Sequence, residues 1–271
     1  MKRFMLIIIV FGILLMSANP AWSGDIFPGC SRILLSGNPE YPPLVWQDRE
    51  NPGKVIGFAV ELLVIALKET NVRVEAVYAG EWGRTQIEIR KGTVDMLGGA
   101  YVTEERKGFM DFIEPAFVMD PTVIFVRKGH RFPFSAWPDL KGLVGGAPIG
   151  NSYGQAFDSY AATHLTIERV PKVVQGFNKL VTGRNDYFVY GLYPGLAEAE
   201  VTGFSDKIDY LGSSVISEGL YYTISKRSPC NTPAFKVYLS DRVRELSGAG
   251  VPDLLMGKYL KLWKQQAQDP Q

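Results

Sequence analysis

The 271-residue chain is poor in the residues that build metal and redox centres: it has two cysteines and two histidines. Cys30, Cys230, His130 and His164 lie far apart, and none of them shows the paired spacing of a zinc site, so no metal is expected. Phosphate loops and dinucleotide fingerprints are missing as well, which leaves no cofactor to expect. There is no block of like charge. Without Lys2 and Arg3, the 29 basic residues lose two and fall one short of the 28 acidic ones. A surface so evenly mixed gives neither nucleic acid nor an anionic membrane anything to bind. Past the N-terminus there is no long apolar run, no low-complexity stretch and no short tandem repeat.

What is present begins with a leader. Lys2 and Arg3 are followed by the apolar run Met5 to Met16, then by the small and polar stretch Ser17 to Ser23, which ends in Ala21-Trp22-Ser23. This is the three-part layout of a secretory signal peptide, expected over residues 1–23. The apolar run is about a dozen residues, short of the roughly 20 that a membrane span needs. Cys30 is not a lipidation site, because Phe27-Pro28-Gly29 does not resemble a lipobox. Export implies a periplasmic location and an oxidising compartment, in which Cys30 and Cys230 can pair. Two separate thiols are equally compatible with the sequence.

The rest alternates between strand and helix signals. Arg32 to Ser36, Val72 to Tyr78 and Val94 to Leu97 read as strands; Gly57 to Leu67 and Trp82 to Arg90 read as helices, the second closed by Gly92. A second series follows, with strands at Val123 to Val126, Leu143 to Ala147 and Tyr187 to Tyr190. A helix should follow Gly154, and another should carry Val173, Val174, Phe177, Leu180 and Val181 on one face. Leu220 to Ile224 is a strand, and Pro233 to Leu246 and Pro252 to Trp263 are helical. Such alternation predicts parallel sheet with crossover helices. The run Lys91-Gly92-Thr93-Val94-Asp95 finds an echo in Thr182-Gly183-Arg184-Asn185-Asp186, which suggests two similar lobes.

Several short motifs share an order and a spacing. They are Tyr41-Pro42-Pro43-Leu44, Gly57-Phe58-Ala59-Val60-Glu61-Leu62, the stretch from Trp82 to Asp95, Thr103-Glu104-Glu105-Arg106, Met110-Asp111-Phe112-Ile113-Glu114-Pro115 and Asp139-Leu140-Lys141-Gly142. As a set they resemble the family 3 bacterial extracellular solute-binding proteins, the periplasmic receptors of polar amino-acid transporters, from about Arg32 to Trp263. The resemblance implies a two-lobed α/β fold of the type II periplasmic-binding kind, with the lobes joined by two crossing strands. It puts lobe one at 24–121 and 218–271 and lobe two at 122–217. It further implies a small-molecule ligand in the cleft, an ABC-transporter permease as partner, and a monomer.

The same resemblance assigns roles. Arg106 would hold a ligand carboxylate, for which the guanidinium fork is suited. Tyr41 and Trp82 would be aromatic walls, and Gly99 and Tyr101 would meet the ligand. Asn151 and Ser152, at a helix start, would grip the carboxylate from the second lobe. Ordinary readings compete with each: a surface pair of Arg106 with Glu104 or Glu105, core packing of the rings, and a plain helix cap. The chain departs from the family at Gly191, five residues after Asp186, where amino-acid binders carry an acid for the ligand's ammonium. Either the ligand lacks that group or Glu218 or another acid supplies the charge.

Enzyme readings fare worse. Gly150-Asn151-Ser152-Tyr153-Gly154 matches a nucleophile elbow, but the only later histidine, His164, lies on the helix that follows. A few proteins of the resembling fold are dehydratases of cyclic acids, and others sense rather than transport; these remain the alternatives to a binding protein. The leader generates the first prediction. The exported protein is expected to begin at Gly24, and N-terminal sequencing of the periplasmic form checks it; a retained Met1 or a lipid on Cys30 would refute it.

Overall fold

A computed structural model describes residues 26–268; the leader expected over 1–23 lies outside the described residues. In chain order, β1 (Arg32–Ser36) leads into a small three-stranded sheet of β2 (Glu40–Tyr41), β3 (Val45–Gln47) and β4 (Val55–Ile56). Then come α1 (Phe58–Leu67), β5 (Arg73–Ala76), α2 (Trp82–Lys91), β6 (Met96–Ala100), the short α3 (Glu104–Lys107) and the long β7 (Met110–Arg127). The second series is β8 (Val144–Pro148), α4 (Gln155–His164), β9 (Thr166–Val170), α5 (Val173–Val181), β10 (Tyr187–Gly191), α6 (Leu192–Thr202) and β11 (Ile208–Tyr210). The chain returns through β12 (Ile216–Ser225) and ends in α7 (Pro233–Gly248) and α8 (Val251–Gln268).

The principal sheet has the order β5-β1-β6-β12-β7-β10-β8-β9, with β11 beside β7. β5, β1 and β6 are mutually parallel, and so are β9, β8 and β10. Between these parallel halves run β7 and β12, antiparallel to each other from Met110 opposite Ser225 to Thr122 opposite Ile216. The parallel sheet expected from the alternation therefore holds within each half. The middle pair makes the whole sheet mixed, because the chain crosses between halves once in each direction. These are the two crossing strands of a two-lobed fold.

Besides several short elements, two proline-bearing ones escape the sequence reading: the start of β7 and the whole of α6. The first twelve residues or so of β7 contain Pro115 and Pro121, which argue against a paired strand. The structure absorbs Pro115 with a register shift: Ile113 pairs with Tyr222 and Val118 with Leu220, so the residues between bulge out of the ladder. α6 carries Pro194 and Gly195 near its start. Proline is tolerated in a first turn, and a side chain at 195 would collide with Phe125, so glycine lets the helix lie on β7. Gly92 does close α2, with φ 81 and its N–H returned to the Glu88 and Ile89 carbonyls.

Packing is aromatic on both sides of the crossing. Phe117 lies against Tyr222 with ring centroids 4.5 Å apart, and Phe125 contacts Phe177 at 5.7 Å. Cys30 and Cys230, both buried, form a disulfide that ties the segment before β1 to the turn before α7, across 200 residues of sequence. Closing so long a loop removes much of the unfolded chain's freedom. Replacing both cysteines by serine is expected to cost about 2–5 kcal/mol of stability, read as a lower urea midpoint; an unchanged midpoint would show that the bridge does not constrain the unfolded chain.

Candidate functional site

Where the two halves of the sheet face each other they form a pocket partly open to solvent. From the first half its wall takes Asn38, Tyr41, Leu44 and Val45 around the small sheet, Trp82 at the start of α2, Gly98 to Tyr101 at the end of β6, and Arg106 of α3. Asn151 and Ser152 come from the loop before α4, and Leu220 from β12. Seven of the eight residues singled out in the sequence therefore share one cavity. Gly191 stands outside the wall, behind Tyr41.

Local chemistry sets these side chains in place. Thr103 caps α3, its hydroxyl accepting from the Arg106 N–H at 3.2 Å, and this single turn aims the arginine inward. Arg106 is only 4 % exposed. Its Nη1 donates to the Tyr101 carbonyl at 2.9 Å, while Nη2 reaches Gln86 Oε1 and the Gly150 carbonyl only at 3.4 Å. The guanidinium lies 5.5 Å from the Trp82 ring. Burial lowers its pKa to about 10, so it stays cationic at neutral pH. The surface pairing weighed for it does not occur. Glu105 binds Arg90 at 2.7 Å and Glu104 binds Lys107 at 2.8 Å. Among the described residues, Arg106 has no carboxylate within ion-pair distance. A buried cation without an anion is costly, and its loosely held Nη2 leaves donor capacity for one.

At the cavity, one carbonyl of the second half gathers several donors from the first. Gly150 O accepts from Trp82 Nε1 at 3.0 Å and Gln86 Nε2 at 3.2 Å, besides Arg106. Gly150 has φ +75, a conformation open to glycine, and that turn presents the carbonyl. Next to it Ser152 donates to Asp158, and its Oγ accepts from the Gly154 N–H at 3.2 Å. Ser152 is not the helix cap: the N-cap of α4 is Gly154, which has no side-chain cap bond, and Ser152 braces the turn before it while lining the cavity. His164 stacks on Tyr160 at 4.5 Å, far along α4, so no triad forms. Asn151 Oδ1 is buried with no partner, an acceptor still unfilled at the cavity.

Sequence reasoning missed Asp120. It lies on β7, is wholly buried, and stands behind the two cavity tyrosines. Tyr41 donates to its Oδ2, and Tyr101 donates to the same oxygen at 2.9 Å; Oδ1 has no partner. Burial pushes this carboxyl up to about 6, and the two phenols offset only part of that. The signal was available: a lone acid in the apolar strand around Val118 to Val126. Glu218, the alternative acid, packs against Gly154 and contributes nothing to the cavity wall.

The family model for bacterial extracellular solute-binding proteins, family 3, matches residues 33–229. A curated relative, the probable histidine-binding protein of Neisseria gonorrhoeae, is 26 % identical over 147 residues, covering 52 % of this chain and 53 % of its own. The chain thus spans about half the length of that relative. Among solved structures, a histidine kinase sensor domain similar to periplasmic binding proteins superposes with TM-score 0.69 at 20 % identity, covering 86 % of this chain and 97 % of its own. The amino acid ABC transporter substrate-binding protein AbpA of Streptococcus pneumoniae, bound to L-arginine, does so with TM-score 0.67 at 15 % identity, covering 86 % and 96 %. ArgBP from T. maritima, as a P235GK mutant, gives 0.65 at 20 %, covering 85 % and 96 %. These likenesses establish the two-lobed periplasmic-binding fold.

Asp120 generates a prediction about stability. Its folded pKa of about 6 lies above the unfolded value of about 3.9, so the folded protein holds the proton more tightly. The stability that this raised pKa contributes is fully present below about pH 4 and is lost as pH rises through about 6, about 3 kcal/mol in all. Asp120→Asn should therefore gain on the wild type as pH rises. Urea midpoints at about pH 4 and about pH 7.5 check it; a gap between the two proteins that stays constant with pH would show that Asp120 does not titrate this way.

Proposed function

We propose, from the premise that this chain belongs to the family 3 bacterial extracellular solute-binding proteins, that it captures a small carboxylate-bearing ligand between its lobes in the periplasm and delivers it to an ABC-transporter permease. The family consists of binding proteins, not enzymes. The observation that carries the reading is Arg106, a buried cation on the cavity wall with no anion of its own. A ligand carboxylate would supply the missing partner in bidentate geometry. Asn151 and Ser152 close on it from the other side, and Tyr41 and Trp82 cover the ligand's body.

In this reading the lobes are 24–121 with 218–271 and 122–217, and they hinge where β7 and β12 cross. The bonds from Trp82 and Gln86 to the Gly150 carbonyl hold the closed form and exclude water from the ion pair.

A thermal-shift screen over amino acids, their deaminated analogues and aromatic acids finds the ligand, because a compound that binds only the folded state raises the melting temperature. Arg106→Ala is then expected to lose about 2–5 kcal/mol of binding, roughly 30- to several-thousand-fold in Kd, measured by calorimetry. Arg106→Lys should also weaken binding, since a point charge does not reproduce the fork. Wild-type affinity in Arg106→Ala, or stabilisation by sugars and polyamines alone, would overturn the reading.

A further inference from the structure

The cavity wall carries one cation, Arg106, and no carboxylate. Position 191, where an acid would reach a ligand ammonium, is glycine. The sheet register explains what took its place. Gly191 pairs with Thr122 across β10 and β7, so Asp120, two residues back along β7, is its diagonal neighbour on the same face. A Cβ at 191 would fall on the Tyr41 hydroxyl and 2.7 Å from Asp120 Oδ2. A side chain at 191 and the Tyr41–Asp120 pair cannot coexist. The carboxylate absent from β10 is present in the same space, delivered from the crossing strand.

We infer that Asp120 is a specificity-determining residue that acts through Tyr41 and Tyr101, and that it selects carboxylates carrying an ammonium beside the carboxylate group. The inference rests on the carboxylate-binding reading above. A phenol has one proton, and both of these protons are committed to Asp120 Oδ2. The phenol oxygens can then only accept, so a ligand group that reaches them must donate. Behind them stands a buried negative charge that no lysine or arginine offsets; only the two tyrosines ease its burial. A ligand ammonium answers both deficits, as a ligand carboxylate answers Arg106. The cavity is polarised, with a cation at one end and acceptors backed by an anion at the other.

The test uses matched pairs that differ only at the α-carbon: L-arginine and 5-guanidinopentanoate, L-histidine and imidazolepropionate, L-phenylalanine and 3-phenylpropionate, L-leucine and 4-methylpentanoate, L-glutamate and glutarate. Calorimetry on the full mature chain gives the affinity ratio within each pair that binds. The wild type is expected to prefer the amino member by about 30-fold or more. In Asp120→Asn the ratio should fall to within about threefold, while the deaminated acid keeps its affinity. Tyr41→Phe and Tyr101→Phe should each lower the ratio in part. The ratio separates this role from structural damage, which would weaken both members alike.

Equal or tighter wild-type binding of the deaminated members would overturn the inference and leave the carboxylate reading standing. So would an Asp120→Asn protein that weakens both members equally. If Asp120→Asn does not fold, the tyrosine variants decide, and an unchanged ratio in both refutes the proposal. Failure of every acid to bind removes the carboxylate reading and this inference with it.

Discussion

The antiparallel pairing of β7 with β12 is the constraint on which the other features depend. Each half of the sheet is an ordinary parallel βα array, and one buried apolar cluster runs through both. The chain leaves the first half along β7 and re-enters it along β12, and β12 pairs with β7 from Ile216 to Ser225 apart from one bulge. That pair puts β6, which ends at the cavity, and β10, which ends behind Tyr41, on opposite sides of one crossing. It also puts Gly191 and Leu220 within reach of Tyr41, more than a hundred positions away, and Asp120 within reach of it across 79 positions. A bulge opposite Leu220 and Tyr222 is the local consequence of running a proline-bearing strand through the centre of a sheet.

The cavity built there works against stability. Arg106 and Asp120 are both removed from water, one on the wall and one behind it, and neither has an ion partner among the described residues. Backbone carbonyls and phenols satisfy some of their hydrogen-bonding capacity, and Asp158 and Glu105 ease the burial of Arg106 from beyond ion-pair distance, but no ion pair forms. A protein selected only to fold would have apolar residues in such places. The disulfide, the aromatic contacts along β7 and the covering helices supply the stability that lets this region remain polar and unpaired.

Much of this was legible in the one-dimensional pattern. Apolar periodicity located α1, α2, α5, α7 and α8, and Gly92 marked the end of a helix through its need for positive φ. The family resemblance singled out Arg106, Tyr41, Trp82, Gly99, Tyr101, Asn151 and Ser152, and these share one cavity. Short-range signals do not reach further. β7 was obscured because its prolines deny a strand when read locally, and α6 because Pro194 and Gly195 deny a helix. In both cases a distant partner, β12 for one and Phe125 for the other, makes the local exception tolerable.

The sequence by itself determined the alternation of strands and helices, the balance of charge, and the residue types available to meet a carboxylate, because these depend on neighbours within a few positions. Only the tertiary structure decided that Arg106 is buried away from Glu104 and Glu105, that Cys30 meets Cys230, and that Asp120 fills the space above Gly191. Those outcomes are set by sheet register and strand order. Register brings together residues from separate strands by their place in the ladder, and that place follows from the packing of the whole sheet.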